Sequence, residues 1–281
     1  MEAVDARDRP VEPGHPPSQP PARPLPARGR RLLRERPEIV LSPLALVVVL
    51  YLWDQVTRNG LVSPVLLPSP GSVWRALRVL LTADWFPENL WTTVAETLAG
   101  FGIAAVAAVA IAILLDQIRL LRQVAYPYMV VLQVMPSVVL APLFIVWFGF
   151  GISSKIVIAV STAFFVILVN TLSGLSSVPE NSRLLMRSLC ASRRQTLVKL
   201  TLPTALPYIF AALKTASTLA LIGALVGEFV TARAGLGQLL TQFSFALRQD
   251  MMFATVLVVG ALGVILYGIV AFLEKKLVWW R

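Results

Sequence analysis

From residue 186 to 203 the chain reads MRSLCASRRQTLVKLTLP, a basic interruption between two long apolar stretches. The wider segment 180–203 carries five basic residues and one acid, which is more charge than the interior of a bilayer accepts. Leu185, Leu189 and Leu197 recur near helical spacing within it. The pattern predicts a small amphipathic helix on the cytosolic face of a membrane bundle. It leaves two uses equally open, docking of a soluble partner and contact with anionic lipid.

The composition of the chain favours lipid as its solvent. Of the 281 residues, 57% are hydrophobic and 14% are charged, whereas soluble domains carry about 25% charged residues. A soluble protein of this length buries too little volume to hide so many apolar side chains. The net charge of +10 arises mainly from basic residues at the ends of apolar runs. Because that distribution is typical of cytosolic membrane anchors, it does not indicate nucleic-acid binding.

Charged residues delimit the apolar runs and so predict the spans, since a helix that crosses the hydrocarbon needs about 20 apolar residues. Lys155 is the only charge between residues 123 and 179, so that stretch crosses twice, with GFGISSK at 149–155 as the turn. The runs are continuous rather than alternating, which disfavours strands. We therefore predict an all-α membrane protein with six transmembrane helices, at 39–53, 97–115, twice within 123–179, at 206–229 and at 251–273.

Four regions follow from this pattern. Eight prolines among the first 30 residues, with few large apolar side chains, predict a disordered tail. The regions are a Pro/Arg-rich cytosolic tail at 1–36, the first transmembrane helix at 37–60, an extracytoplasmic segment with an interfacial helix at 61–91, and a core domain at 92–281 with five transmembrane helices and the cytosolic loop 177–203. With both termini in the cytosol, eighteen Lys and Arg residues lie inside and six outside, which supports this orientation in a multi-pass inner or plasma membrane protein.

Polar residues inside the spans predict the translocation path, because polar groups are costly in lipid and face protein or water. Gln133 and Asn170 are the strongest candidates. Pro136 removes backbone hydrogen bonding in the third span, which suits either a path or a packing kink. Lys214 is expected either to snorkel toward the cytosolic end of the fifth span or to act on the substrate. Glu228, at the outer end of that span, is expected to pair with a nearby arginine or to face the mouth of the path.

Motifs for catalysis or cofactor binding are missing from the sequence. It contains no G-x-x-x-x-G-K-[ST] loop, no H-E-x-x-H and no G-x-S-x-G. With Cys190 as the only cysteine and His15 as the only histidine, neither a disulfide within the chain nor a Cys/His metal site can form. The glycines at 235–237 are expected to form only a turn. We therefore predict no enzyme activity and no cofactor, and an energy source in another subunit.

The segment 181–203 resembles the cytosolic EAA loop of bacterial ABC importer permeases, in which a glycine is followed by nine residues and then by I-x-L-P. Cys190 takes the glycine position and Leu200 to Pro203 close the motif, whereas Leu184 to Met186 replace E-A-A. From about residue 61 to 281 the chain resembles the nitrate/sulfonate/taurine branch of these permeases. Within that branch its sequence is most similar to permeases for thiamine-precursor pyrimidines. The matching stretches include LPSP at 67–70, WFGFG at 147–151, LPTALPYIF at 202–210 and GEFVTARAGLGQLL at 227–240.

This resemblance implies a type I ABC importer permease with a cytosolic coupling helix. Its partners would be a second permease copy in a homodimer, two cytosolic ABC ATPase subunits and an extracytoplasmic solute-binding protein. The residues that it assigns to ATPase coupling are Arg187, Ser188, Leu189, Cys190, Ala191, Ser192, Arg193, Leu200, Leu202 and Pro203. Two departures from the motif put the coupling geometry in question: the carboxylate of E-A-A is lost, and Cys190 replaces a residue that is free to adopt positive φ.

The expected function is ATP-driven import of a small polar solute, either nitrate-, sulfonate- or taurine-like or a pyrimidine-type heterocycle. The alternative is a self-sufficient secondary transporter, which requires carboxylates in the membrane for ion coupling and usually shows inverted repeats. Glu96 and Glu228 are the only acidic residues within the predicted spans, and both lie near span ends. The sequence shows no internal repeat, so the ATP-driven permease is favoured.

Overall fold

The structure, a computed structural model, describes residues 38–135, 137–231 and 233–279, and these residues form helices joined by turns, with no strand among them. The helices are α1 (Glu38–Arg58), α2 (Pro70–Thr82), α3 (Phe86–Gln117), α4 (Arg119–Val134), α5 (Ser137–Phe148), α6 (Ile152–Ser176), α7 (Glu180–Ser188), α8 (Arg193–Thr196), α9 (Leu202–Thr231), α10 (Leu236–Phe245) and α11 (Gln249–Leu277), with a π-helical turn at Leu197–Thr201 between α8 and α9. The predicted tail at 1–36 and the Pro136 side chain lie outside the described residues.

The all-α membrane fold predicted from the sequence is confirmed, and the number of spans is partly supported. By length and apolarity, α3, α6, α11 and the continuous helix Arg193–Val230 can each cross a membrane. A bent pair, Leu120–Val134 and Val139–Phe148, inclined by 101°, supplies a fifth crossing if it counts as one span. The 21-residue helix α1 is the candidate for the sixth. The total of six therefore stays a prediction.

The chain divides into two compact units, Met1–Leu52 and Trp53–Arg281. The first contributes most of α1, whose apolar side chains from 43 to 52 are exposed. The second contains the remaining helices and both regions of functional interest. Its helix α2 begins at a Ser69 N-cap, whose hydroxyl accepts from the Ser72 N–H at 3.2 Å, and Pro70 occupies the first turn. A helix is thus present where the sequence predicted an interfacial one.

Small residues let α3, α6 and α9 pack closely at the centre of the second unit. A Cβ at Gly100 of α3 would lie 2.5 Å from the Ala159 Cβ on α6, and a Cβ at Gly223 of α9 would lie 2.8 Å from the Ala159 Cα. Larger side chains at these two positions would force the backbones apart. The three helices therefore pack closely along faces rich in glycine and alanine, and the alanines that are fully buried there are Ala104, Ala108, Ala112, Ala159, Ala163, Ala216, Ala220 and Ala224.

The turn predicted at 149–155 is present but shorter, because only residues 149–151 lie between the two helices. Helix α5 ends at Phe148 and α6 begins at Ile152, so the last four residues of GFGISSK belong to the helix. Lys155, however, lies inside α6, buried against a carboxylate, and not in an outer loop. The sequence reading was wrong here because it took every charge to mark a span end, whereas a paired charge can lie within a helix bundle.

Candidate functional site: a coupling segment and a buried polar cluster

The coupling segment, residues 180–203, begins with a helix whose C-terminus is closed by two backbone hydrogen bonds. The Ala191 N–H donates to the Met186 carbonyl at 3.0 Å and the Cys190 N–H to the Arg187 carbonyl at 2.9 Å. This is a Schellman motif, and it places Cys190 in the left-handed region with φ = +51°. Cys190 thus adopts the conformation that a glycine would favour at this position. The loss of the glycine has therefore not abolished the turn.

The second half of the segment starts at once with a reciprocal cap. The Gln195 N–H donates to the Ser192 Oγ at 3.2 Å, and the Ser192 N–H donates to the Gln195 Oε1 at 2.8 Å. This capping box fixes the first turn of α8. The Schellman motif and the capping box together give every backbone N–H from residue 189 to 192 a hydrogen-bond acceptor. The segment therefore forms a defined helix–turn–helix corner. From α8 the chain continues through the π-helical turn into α9.

Exposed leucines and unpaired arginines form the surface of this corner. Leu189 is 68% exposed, and Leu184 and Leu185 are exposed beside it. Arg187 and Arg193 make no ion pair within the described part of the chain, so both guanidinium groups are available. An apolar surface bordered by free cations is suited to a protein partner that offers an apolar groove and acceptor groups.

Leu197, which recurs near helical spacing with Leu185 and Leu189 in the sequence, does not share the exposure of those two leucines. Its side chain is partly buried, and the neighbouring Val198 is exposed in its place. The physical reason is the π-helical turn that starts at Leu197, because π-helical hydrogen bonding spans one more residue than an α-turn. Helical spacing counted from Leu189 therefore does not carry through to this point.

A buried polar cluster lies at the opposite end of α9, where the loop after that helix meets α3. Glu228 is 1% exposed. Its Oε1 accepts from the Thr93 hydroxyl at 2.6 Å, and its Oε2 accepts from the Gly237 N–H at 2.5 Å. The Asn89 Oδ1 accepts from the Gly235 N–H at 2.8 Å. Glu228 therefore makes no ion pair with Arg233 among the described residues, and the glycines after α9 do more than form a turn.

A buried ion pair adjoins this cluster. The Lys155 Nζ lies 3.0 Å from the Glu96 Oε1, and the two side chains are 8% and 0% exposed. The second oxygen of Glu96, Oε2, has no hydrogen-bond donor in the described part of the chain. A Cβ at Gly227 would lie 3.0 Å from the Lys155 Cγ, so only a residue without a side chain lets the Lys155 side chain pack against α9 at this distance. The cluster brings two carboxylates and one ammonium together among α3, α6 and α9.

The remaining path candidates are not brought together by any contact among the described residues. Gln133 is exposed on α4, and Asn170 is exposed on α6 with its Nδ2 donating to the Val166 carbonyl at 2.8 Å. The Lys214 Nζ lies 2.7 Å from the Glu274 Oε2, which belongs to the last turn of α11, so the lysine reaches a carboxylate at that end of the helix. Lys214 and Glu228 are separated by about 21 Å along α9, at 1.5 Å per residue. They cannot bind one small solute together.

Sequence reasoning missed Asn89, Thr93 and Lys155 as members of the buried polar cluster. Two signals were present. Opposite charges at Glu96 and Lys155 occur in otherwise apolar surroundings, and such charges are tolerated only when paired. A glutamate is also followed, after six residues, by a Gly-Leu-Gly sequence at 235–237, which supplies close backbone N–H groups.

The sequence of this chain is similar to that of known membrane transport proteins. The chain matches the family described as binding-protein-dependent transport system inner membrane component over residues 100–279. The formylaminopyrimidine transport permease protein ThiX of Halalkalibacterium halodurans is 32% identical over 249 residues, with 86% of this chain and 96% of the relative covered. The taurine transport system permease protein TauC of Escherichia coli is 28% identical, with 87% and 90% covered.

The fold also has a match among solved structures. An inward-facing structure of the MetNI methionine ABC transporter shows a TM-score of 0.58 at 22% identity, with 69% of this chain and 94% of that chain covered. This likeness confirms the type I importer permease fold. The relatives confirm the nitrate/sulfonate/taurine and pyrimidine branches that the sequence resembled. The protein is a non-enzymatic permease that works with a separate ATPase and a solute-binding protein, and the chain belongs to the family of binding-protein-dependent transport system inner membrane components.

Proposed function

We propose that two copies of this chain form the path of an inner-membrane importer, each docking one ABC ATPase through its coupling segment. Both termini face the cytosol in this proposal, and a binding protein delivers a small polar solute to the opposite side. The solute class that we propose is nitrate-, sulfonate- or taurine-like, or a pyrimidine-type heterocycle. Among the relatives, one is named for formylaminopyrimidine and another for taurine.

The observation that carries the docking proposal is the rigid corner at 189–192. Leu189 projects from a turn that is fixed on both sides by backbone and side-chain caps. A contact made there is transmitted to α9, because α8 continues into α9 without a break in the helix. Arg187 and Arg193 flank the leucine and can donate to carbonyl or carboxylate groups of the ATPase. Ser188, Ala191, Leu200, Leu202 and Pro203 complete the proposed contact region.

The proposed mechanism converts motion of the partner into alternating access. ATP binding closes the two ATPases and draws the two coupling segments together. The helices then change from an inward-open to an outward-open arrangement, cargo enters the path, and hydrolysis resets the complex. Gln133 and Asn170 are the path residues in this proposal, because their uncharged polar groups are exposed on α4 and α6. We do not assign Lys214 to the path in this proposal, since its ammonium lies 2.7 Å from the Glu274 Oε2.

A charge placed on the docking surface tests this proposal. Leu189→Asp puts a carboxylate into the apolar contact and is expected to abolish co-purification of the ATPase, while membrane insertion stays normal. Leu61→Asp is the matched control, since Leu61 is 72% exposed, close to the 68% of Leu189, but lies far along the chain from the coupling segment. Normal recovery of the ATPase complex with Leu189→Asp would contradict the assigned docking role.

A further inference from the structure

We propose that Asn89, Thr93 and Glu228 form a clasp that positions α10 by hydrogen bonds, with Glu228 acting as an acceptor and not as a ligand for cargo or a carrier of protons. The inference rests on the proposed function for its transport readout. It also makes a prediction about backbone protection that holds for the permease whatever it transports. Glu228 is therefore a positioning residue in this assignment.

The clasp satisfies three consecutive backbone N–H groups at the start of α10. The Gly235 N–H donates to Asn89 Oδ1, the Leu236 N–H to Thr93 Oγ1 at 2.8 Å, and the Gly237 N–H to Glu228 Oε2. The first N–H groups of a helix have no partner within the helix. Here each partner is a side chain from α3 or α9, so the start of α10 is held by two other helices.

The fit of the clasp depends on glycine. Gly235 has φ = +130°, and a Cβ at this position would overlap the Glu228 carboxylate. A Cβ at Gly237 would lie 2.8 Å from the Glu228 Cβ and 2.9 Å from the Leu225 carbonyl oxygen. The carboxylate is thus bordered by backbone on one side and by Thr93 on the other. Because both oxygens accept hydrogen bonds and Glu228 is buried, neither oxygen is free to bind a solute while the clasp is closed.

Closure of the clasp determines where the exposed face of α10 lies. A cavity of about 240 Å³ is lined by Glu228 and Phe229 at the end of α9 and by Gln238, Gln242 and Phe245 of α10. One wall of this cavity belongs to the helix that is clasped and the opposite wall belongs to α9. Release of the clasp would change the width of the cavity, and a solute passing there would be bound less well or not retained.

The hydrogen-bonding pattern predicts that an amide can replace the carboxylate of Glu228. In the Glu228→Gln variant, the amide oxygen can accept from the Gly237 N–H while the amide nitrogen donates to Thr93 Oγ1. The Thr93 hydroxyl then donates to the backbone carbonyl oxygen of Asn89, which lies 3.3 Å from Thr93 Oγ1. A hydroxyl has one donor and two acceptor sites, so Thr93 accommodates this arrangement. A group that carried a proton or held a cationic cargo could not be replaced in this way.

A pair of identical substitutions on one helix provides the decisive test. Thr93→Val removes the hydroxyl from the clasp, whereas Thr97→Val, one turn further along α3, removes a buried hydroxyl that has no partner among the described residues. In the assembled importer in nanodiscs, hydrogen exchange at amides 235–237 should accelerate about tenfold or more with Thr93→Val and stay unchanged with Thr97→Val. Thr93→Ser restores the hydroxyl and should return exchange to the original rate.

Transport per ATP hydrolysed and the KM for solute give the second readout. Thr93→Val and Glu228→Ala should each reduce transport per ATP by about tenfold and raise KM, while Glu228→Gln and Thr93→Ser stay within about twofold of the unsubstituted importer. Equal exchange in Thr93→Val and Thr97→Val would overturn the clasp. Loss of transport in Glu228→Gln as severe as in Glu228→Ala would overturn the assigned acceptor role. An unsubstituted complex that binds no ATPase would instead refute the proposed function and leave the exchange result standing.

Discussion

Removing the cation from the buried Lys155–Glu96 pair is expected to destabilise the protein severely. The substitution is Lys155→Met, which keeps the length and apolar character of the side chain but removes the ammonium. The carboxylate of Glu96 is fully buried, and Glu228 adds a second carboxylate to the same cluster. Breaking a buried pair by removing one partner costs about 3–5 kcal/mol, because the remaining charge has neither water nor a counterion.

The exposed pair Asp54–Arg58 provides a control with an even shorter distance. The Arg58 Nε lies 2.7 Å from the Asp54 Oδ2, against 3.0 Å for the buried pair, but the two side chains are 73% and 27% exposed. Exposed pairs of this spacing contribute about 0.3–0.5 kcal/mol. Arg58→Met should therefore cost roughly a tenth of what Lys155→Met costs. If distance governed the energy, this order would be reversed.

Thermal unfolding in detergent, followed by tryptophan fluorescence, measures the loss of stability in Lys155→Met and in Arg58→Met. At about 2–4 °C per kcal/mol for a domain of this size, Lys155→Met should lower Tm by about 6–20 °C and Arg58→Met by less than about 2 °C. The double variant Glu96→Gln/Lys155→Met removes both charges and should recover most of the loss, because a neutral amide is far less costly to bury. Equal Tm values for Lys155→Met and Arg58→Met would refute the reasoning.

Three further predictions use the same unfolding assay. Gly237→Ala should cost about 1–3 kcal/mol, because its Cβ would lie 2.8 Å from the Glu228 Cβ; a value within error of zero would show that α10 can shift freely. Lys214→Met should cost about 1 kcal/mol, well below Lys155→Met, since the Lys214–Glu274 pair is about one-fifth exposed and water can solvate the remaining carboxylate. Cys190→Ile should cost about 1–2 kcal/mol more than Cys190→Gly, because a β-branched residue is strained at φ = +51°; equal stabilities would mean that the corner does not need the left-handed residue.

The sequence was sufficient for features that are encoded locally. The coupling segment could be predicted because its charges and leucines lie within 24 consecutive residues. The clasp could not be predicted in the same way. Thr93 and Glu228 are 135 residues apart, and a lone threonine in an apolar helix most often bonds its own backbone. Only the crossing of α3 with α9 reveals what the hydroxyl faces.

Two local errors have the same origin, an assumption of regularity. Charge was taken to mark the end of a span, which misplaced Lys155, and α-helical spacing was assumed through residue 197, where the helix changes to π-helical hydrogen bonding. A counterion on another helix and a local change of helix type are both properties of the folded bundle. Neither is recorded in the periodicity of the segment concerned.

In the proposed importer, the helix that runs without a break from Arg193 to Val230 is a lever arm. Its 38 residues extend over about 57 Å, with the proposed ATPase contact at one tip and the Glu228 carboxylate close to the other. A tilt of about 5° about one tip would move the far tip sideways by about 5 Å, which exceeds the length of a hydrogen bond. By that proposal, a small rotation imposed by the ATPase at one tip is enough to break the hydrogen bonds of the clasp at the other.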